Sequence, residues 1–232
     1  ENILNSSVIM YICTPSNPHG GIASLNYLKN AILLARKYDF ILAIDECYSD
    51  IYRLNKRKPA GGLDAAFSLG NNLDNVVIFN SLSKRSNASG MRAGFIVGDK
   101  NIIESYKLLV SNGASPVPIP IQNVAAALYD DDQHQIEACI HYDQNFQIVE
   151  KYLKSYYKNF KIPEAGFFLW LKVKNDQEAT KILWNKFSLG VMPGSFMAMD
   201  VDGVNPGEGF LRISIVDSKE VIEEVMKRIC LF

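Results

Sequence analysis

Four short apolar runs, each stopping at a polar turn, limit what this chain can fold into. They are Val8–Ile12, Phe40–Ile44, Val76–Phe79 and Phe95–Val97. Phe40–Ile44 is wholly apolar, the pattern of a strand covered on both faces in a parallel sheet. Between the first two runs, Ser24–Tyr38 carries Leu25, Leu28, Ile32 and Ala35 at helical spacing, with Ser24 placed to cap the start. Strands alternating with helices predict an α/β domain built on a mainly parallel sheet. Residues 53–72, rich in Lys, Pro, Gly and Asn, are expected to form a long excursion.

After Asp99 the rhythm changes. Asn101–Ser111 has a helical pattern, Pro116–Pro120 is expected to be extended, and helices follow over Gln122–Tyr129 and residues 133–157. The remainder reads as strand Phe167–Val173, helix Gln177–Phe187, short strand Val191–Pro193, strand Phe210–Val216 and helix Ser218–Cys230. The expected organisation is a large domain over residues 1–140 and a smaller α+β domain over residues 141–232.

With 232 residues, 48% of them hydrophobic, the chain can bury a sizeable core. A net charge of −1 gives no electrostatic case for nucleic acid or an anionic membrane. No apolar run approaches the roughly 18 residues that cross a bilayer. Four scattered cysteines without a C-x-x-C pair speak against a zinc site or a disulfide framework. With no recognisable signal peptide, they point to the cytoplasm.

Chemistry concentrates where strands end, the edge at which open parallel sheets bind ligands. Thr14-Pro15-Ser16-Asn17-Pro18-His19-Gly20 follows the first strand and projects an Asn amide. Taken alone, the motif is more simply a Pro-rich turn in which Asn17 caps its own backbone. Asp45 and Tyr48 leave the second strand together. A carboxylate there can keep a pyridine nitrogen protonated and a phenol can donate to a ring oxygen, although acids at strand ends commonly face water. Glu46 is expected to point the other way and to be structural. The third strand leads into Ser81-Leu82-Ser83-Lys84, read as a turn, with Arg92 eight positions after the lysine. A lysine amine forms Schiff bases with aldehyde cofactors, and hydroxyls with an arginine hold a phosphate. Gly90 and Gly94 are expected to let backbone approach that phosphate, and Arg85 to face solvent or a neighbouring subunit. Late in the chain Arg212 interrupts an apolar strand. It sits either at a sheet edge or where its planar guanidinium can grip a carboxylate.

Taken in order, these residues resemble the fold-type I pyridoxal phosphate enzymes, specifically the class I/II aminotransferases. Asn80–Asn87, Met192–Phe196 and Gly203–Gly207 are similar to the bacterial N-succinyldiaminopimelate aminotransferases of lysine biosynthesis. The resemblance implies an aminotransferase-like large domain, incomplete at its N-terminus, and a small C-terminal domain. It implies pyridoxal 5'-phosphate as cofactor, bound by Lys84 as a Schiff base, Asp45 at the pyridine nitrogen, Asn17 and Tyr48 at the ring oxygen, and Ser81, Ser83 and Arg92 at the phosphate. Lys84 is also the proton carrier, and Arg212 with Asn17 binds the substrate carboxylate. No metal is implied. Partners are a small amino acid and a 2-oxo acid, and the assembly is a homodimer. His19 departs from the usual threonine and is expected to shape its turn.

The family's phosphate loop, ring-stacking aromatic and partner-directed tyrosine lie upstream of the Asn17 turn and have no counterpart here. The expectation is therefore a C-terminal portion of a longer enzyme, weak in cofactor binding and turnover on its own. The same scaffold serves aspartate-type transaminases, C–S lyases, 1-aminocyclopropane-1-carboxylate synthase-like enzymes, and regulators that carry an aminotransferase-like domain. A dinucleotide site is disfavoured, since no G-x-G-x-x-G follows the first strand.

Overall fold

A computed structural model describes residues 2–114, 116–157 and 160–232. The chain divides into two compact units: Glu1–Ser16 with Gly21–Ala138, and Asn17–Gly20 with Cys139–Phe232.

The first unit opens with a short helix α1 (Asn2–Ser6), then β1 (Ile9–Cys13), α2 (Leu25–Tyr38), β2 (Ile41–Asp45), α3 (Gly62–Phe67), β3 (Val76–Ser81), α4 (Leu82–Arg85), β4 (Gly94–Gly98), α5 (Lys100–Gly113) and α6 (Ile119–Asp130). The sheet order is β1-β2-β3-β4. The first three strands run parallel, with Cys13 opposite Asp45 and Asp45 opposite Phe79. Their carboxyl ends therefore fall at one edge, carrying Thr14, Asp45 and Asn80. β4 runs antiparallel to β3. Helix α2 buries Leu28, Ala31, Ile32 and Ala35, Ser24 caps it by accepting from the Tyr27 N–H, and the left-handed Asp39 ends it. Its apolar stripe closes a core with Phe40, Leu42, Ile44, Val76 and Ile78.

Two expectations change here. The supposed excursion over 53–72 contains α3. Its first residue, Gly62, is held by the Glu46 carboxylate, which accepts from its N–H at 2.5 Å. Burial pushes the Glu46 carboxyl above the usual carboxylate range, against the pull of that same N–H. Of residues 116–120, the last two are helical. Pro120 falls in the first turn of α6, where its missing N–H leaves no helical bond unmade.

The second unit takes in most of α7 (Gln133–Tyr156), then β5 (Phe168–Lys172), α8 (Asp176–Phe187), β6 (Met192–Pro193), β7 (Phe210–Ser214) and α9 (Lys219–Ile229). Its sheet order is β5-β7-β6, antiparallel throughout. Leu169 and Leu171 of β5 and Leu211 and Ile213 of β7 are buried together with Phe146, Leu183, Ile222 and Met226. Strand alternation puts Arg212 on the opposite face. β7 is the central strand, so Arg212 is not at a sheet edge. Gly194 and Gly207 mark a close crossing of two backbones. A Cβ on Gly194 would lie 2.2 Å from the Gly207 carbonyl oxygen and 2.6 Å from the Trp170 ring. That crossing requires glycine in both of the late motifs singled out above.

Among the described residues, no helix is long and apolar enough to cross a membrane, and no cluster of three or more His, Cys, Asp or Glu side chains could hold a metal ion.

Candidate active site

The parallel register gathers the first unit's functional side chains at the carboxyl edge of its sheet. Asp45 is the last residue of β2, and its Oδ1 accepts from the Cys47 N–H at 2.9 Å. One turn on, Tyr48 is buried. The Lys84 Nζ lies 5.9 Å from the centre of the Tyr48 ring. Amine, phenol and carboxylate thus come from two adjacent strand ends.

Lys84 stands on the single turn of α4 rather than in an open loop. Leu82, fully buried, pins that turn to the core, and its N–H donates to the Ala93 carbonyl at 3.2 Å. Ser81 caps α4: its Oγ accepts from the Ser83 N–H at 3.1 Å and donates to the Ser83 Oγ at 2.9 Å. Arg92 is exposed, has left-handed backbone at φ 53°, and donates Nη1 to the Ser89 carbonyl at 3.0 Å.

Gly94 is required by the sheet. A Cβ there would lie 2.3 Å from the Asn80 carbonyl oxygen, across the β3–β4 pairing, whereas Gly90 has nothing within 4 Å of its Cβ position. Arg85 also departs from expectation. It is 5% exposed, and it donates to the Leu128, Tyr129 and Asp131 carbonyls and pairs with Asp132 and Asp50. Nothing in its sequence neighbourhood signals this, since the partners lie 35 to 47 positions away. Two further residues at this edge were not anticipated. The Tyr129 hydroxyl donates to the Asn80 Oδ1 at 3.0 Å, and Asn80 in turn donates to the Ser49 Oγ at 3.3 Å.

Electrostatics tie the edge together. Burial, reinforced by the bond to Asp45 and its negative charge and opposed by Lys84, pushes the Cys47 thiol up to about 12. A thiol that holds its proton is a poor nucleophile at neutral pH. At pH 8, Cys47 is expected to react with iodoacetamide about a thousandfold more slowly than free cysteine, because its thiolate fraction is lower by about that factor. Peptide mass spectrometry gives the rate, and alkylation as fast as free cysteine would contradict it. For stability the sign follows from proton counting. Between about 9 and about 12 the unfolded thiol has lost its proton and the folded one has not. Cys47 therefore costs stability as pH rises through that window.

In the second unit, Arg212 extends from β7 with its guanidinium 4.4 Å over the Phe168 ring and donates Nη1 to the Asn17 Oδ1 at 3.2 Å. Beside it Trp170 stacks on Phe210 at 5.0 Å, and the edge of His19 meets Trp170 at 5.7 Å. His19 therefore holds the Asn17 turn against the sheet.

The first unit's donors suit a phosphorylated pyridine aldehyde: a primary amine, a strand-end carboxylate, a phenol, two bonded hydroxyls and an arginine. The second unit, by itself, carries an amide bonded to a guanidinium that an aromatic ring backs.

Residues 1–229 match the family Aminotransferase class I and II. Among solved structures, an aminotransferase from Neisseria meningitidis Z2491 is 36% identical with a TM-score of 0.92, covering 100% of this chain and 59% of its own. The aminotransferase AspB from Helicobacter pylori 26695 is 31% identical with a TM-score of 0.89, over the same shares. Among curated proteins, LL-diaminopimelate aminotransferase 2 of Nostoc sp. is 28% identical over 98% of this chain and 57% of its own length. The chain thus spans less than two thirds of the relatives it matches.

Proposed function

Since the chain belongs to the class I and II aminotransferases, a pyridoxal phosphate-dependent family, we propose that it carries out amino-group transfer between an amino acid and a 2-oxo acid. The substrate pair proposed is N-succinyl-diaminopimelate with 2-oxoglutarate, which leaves as glutamate, in lysine biosynthesis. The observation that carries this is the convergence of Lys84, Tyr48 and Asp45 at two adjacent strand ends.

When bound, pyridoxal phosphate supplies an electron sink for the negative charge that develops at the substrate α-carbon. The residues do the rest. Lys84 anchors the cofactor's aldehyde carbon and then takes and returns the α-proton. Asp45 keeps a proton on the pyridine nitrogen, an ion pair favoured away from bulk water. Tyr48 and Asn17 donate to the ring oxygen. Ser81, Ser83 and Arg92 hold the phosphate, with charge-assisted bonds from the guanidinium. Arg212 binds the substrate carboxylate in two-point fashion, its plane supported by Phe168. The proposal includes a homodimer working in the cytoplasm on soluble substrates.

The late motifs Met192–Phe196 and Gly203–Gly207 support the succinylated substrate, and the name of the Nostoc relative supports the diaminopimelate skeleton. The test supplies N-succinyl-LL-diaminopimelate or LL-diaminopimelate with 2-oxoglutarate and measures glutamate. Glutamate from the succinylated compound is expected. Glutamate from the free compound alone would move the substrate to LL-diaminopimelate. Pyruvate released from cystathionine without 2-oxoglutarate would replace transamination with C–S cleavage.

A further inference from the structure

Helix α4 has four residues, too few to hold its own shape. Its position is set by what grips it, and the two residues after Lys84 are gripped from one place. Arg85 donates Nη1 to the Leu128 and Asp131 carbonyls at 2.6 and 3.2 Å and Nη2 to the Tyr129 carbonyl at 3.4 Å, across the end of α6. It also pairs with Asp132, and its Nε lies 3.5 Å from the Asp50 Oδ2. Ser86 bonds through its Oγ to the His134 Nε2 at 2.8 Å, and the His134 Nδ1 meets the Asp131 Oδ2 at 2.9 Å. The other oxygen of Asp131 accepts from the Gln133 N–H at 2.8 Å, so the carboxylate is fixed at the start of α7. Its bond to His134, followed by that N–H, holds the Asp131 carboxyl below the usual range and ionised at neutral pH. An ionised acceptor at Nδ1 keeps a proton on that nitrogen, and Nε2 and the Ser86 hydroxyl share the second hydrogen bond of the relay.

Resting on the proposed role of Lys84, we infer that the Ser86–His134–Asp131 relay is the positioning device of that lysine. With Arg85, it fastens the single turn from which the amine projects to the α6–α7 junction. Positioning matters at this site because a misplacement of about 1 Å can cost on the order of a hundredfold in reactivity. A tie to residues 43 to 48 positions further along the chain also explains how so short a helix keeps one orientation.

The test measures the amine itself. The chain is incubated with pyridoxal phosphate and reduced with borohydride, and the label on each lysine peptide is followed in time by mass spectrometry. Thermal unfolding serves as the fold control. Ser86→Ala and His134→Ala are expected to slow labelling of Lys84 about tenfold relative to the other lysines, with a melting shift below about 5 °C, the scale of one lost hydrogen bond. His134→Gln, which can place an amide where Nε2 lies and so keep the bond to Ser86, is expected to restore most of the rate. A purely structural role would lower all variants together with their melting points, without that rescue. Wild-type protein labelled at Lys84, with variants labelled equally fast, would overturn the positioning role alone. Scattered label on the wild type would overturn the cofactor reading, and the inference with it. Covalent capture of Ser86 by a fluorophosphonate would make that serine a nucleophile and overturn its role as a tie.

Discussion

Lys84→Ala is expected to lower amino-group transfer by about 10^4-fold or more, the most damaging single change in the chain. General acid–base catalysis by a placed side chain contributes on the order of 10^2 to 10^4, and Lys84 is proposed to anchor the cofactor as well. The borohydride-fixed label should vanish from the Lys84 peptide without a matching gain elsewhere. Lys84→Arg is the sharper version. It keeps the positive charge beside Tyr48, but a guanidinium stays protonated and can neither attack an aldehyde nor accept the α-proton. Arginine should therefore be as inactive as alanine. Activity within tenfold of wild type in either variant would remove Lys84 from the mechanism.

Arg212→Ala is expected to raise the KM for the amino acid about a hundredfold while changing kcat less. Charge-assisted hydrogen bonds are worth about 1.5–3 kcal/mol, and about 3 kcal/mol corresponds to roughly a hundredfold in affinity. The fold should tolerate the change. Arg212 lies on the face of β7 opposite the buried Leu211 and Ile213, between Trp170 and Met192 in register. Lysine should recover little, since a point charge reproduces neither the two-point grip nor the packing over Phe168. Steady-state kinetics with varied amino acid decide it, and a KM within threefold of wild type would place the carboxylate elsewhere.

The middle of the first unit's sheet was legible because β2 and β3 are covered there and therefore apolar, with Leu42, Ala43, Ile44, Val76, Val77 and Ile78 buried in succession. The helices that were legible, such as α2, run long enough to show a stripe. The elements missed are those whose causes lie far along the chain. α3 is capped locally by Asp64, which accepts from the Gly61 N–H, but Glu46, which receives the Gly62 N–H, lies 16 positions earlier, outside any window around residues 60–67. α4 is shorter than any period that could reveal it. The residue types of the site were visible as chemistry at strand ends. Arg85 was misread because charge usually means surface, and here the carbonyls ending α6 and two aspartates meet the guanidinium inside. Gly94 has a second need for glycine, from the register of β3 on β4, which only the paired strands reveal.

The division of the chain also bears on how such a protein can be cut and recombined. Asn17–Gly20 belongs to the second unit although both of its flanks belong to the first, and the later boundary falls within an unbroken helix. No single breakpoint separates the units. A gene fragment starting at Cys139 would encode Arg212 without the asparagine that receives its hydrogen bond. Exchange between relatives at that point would pair one parent's arginine with the other's turn. The tetrapeptide and the distant strand must therefore be inherited, or engineered, as one module.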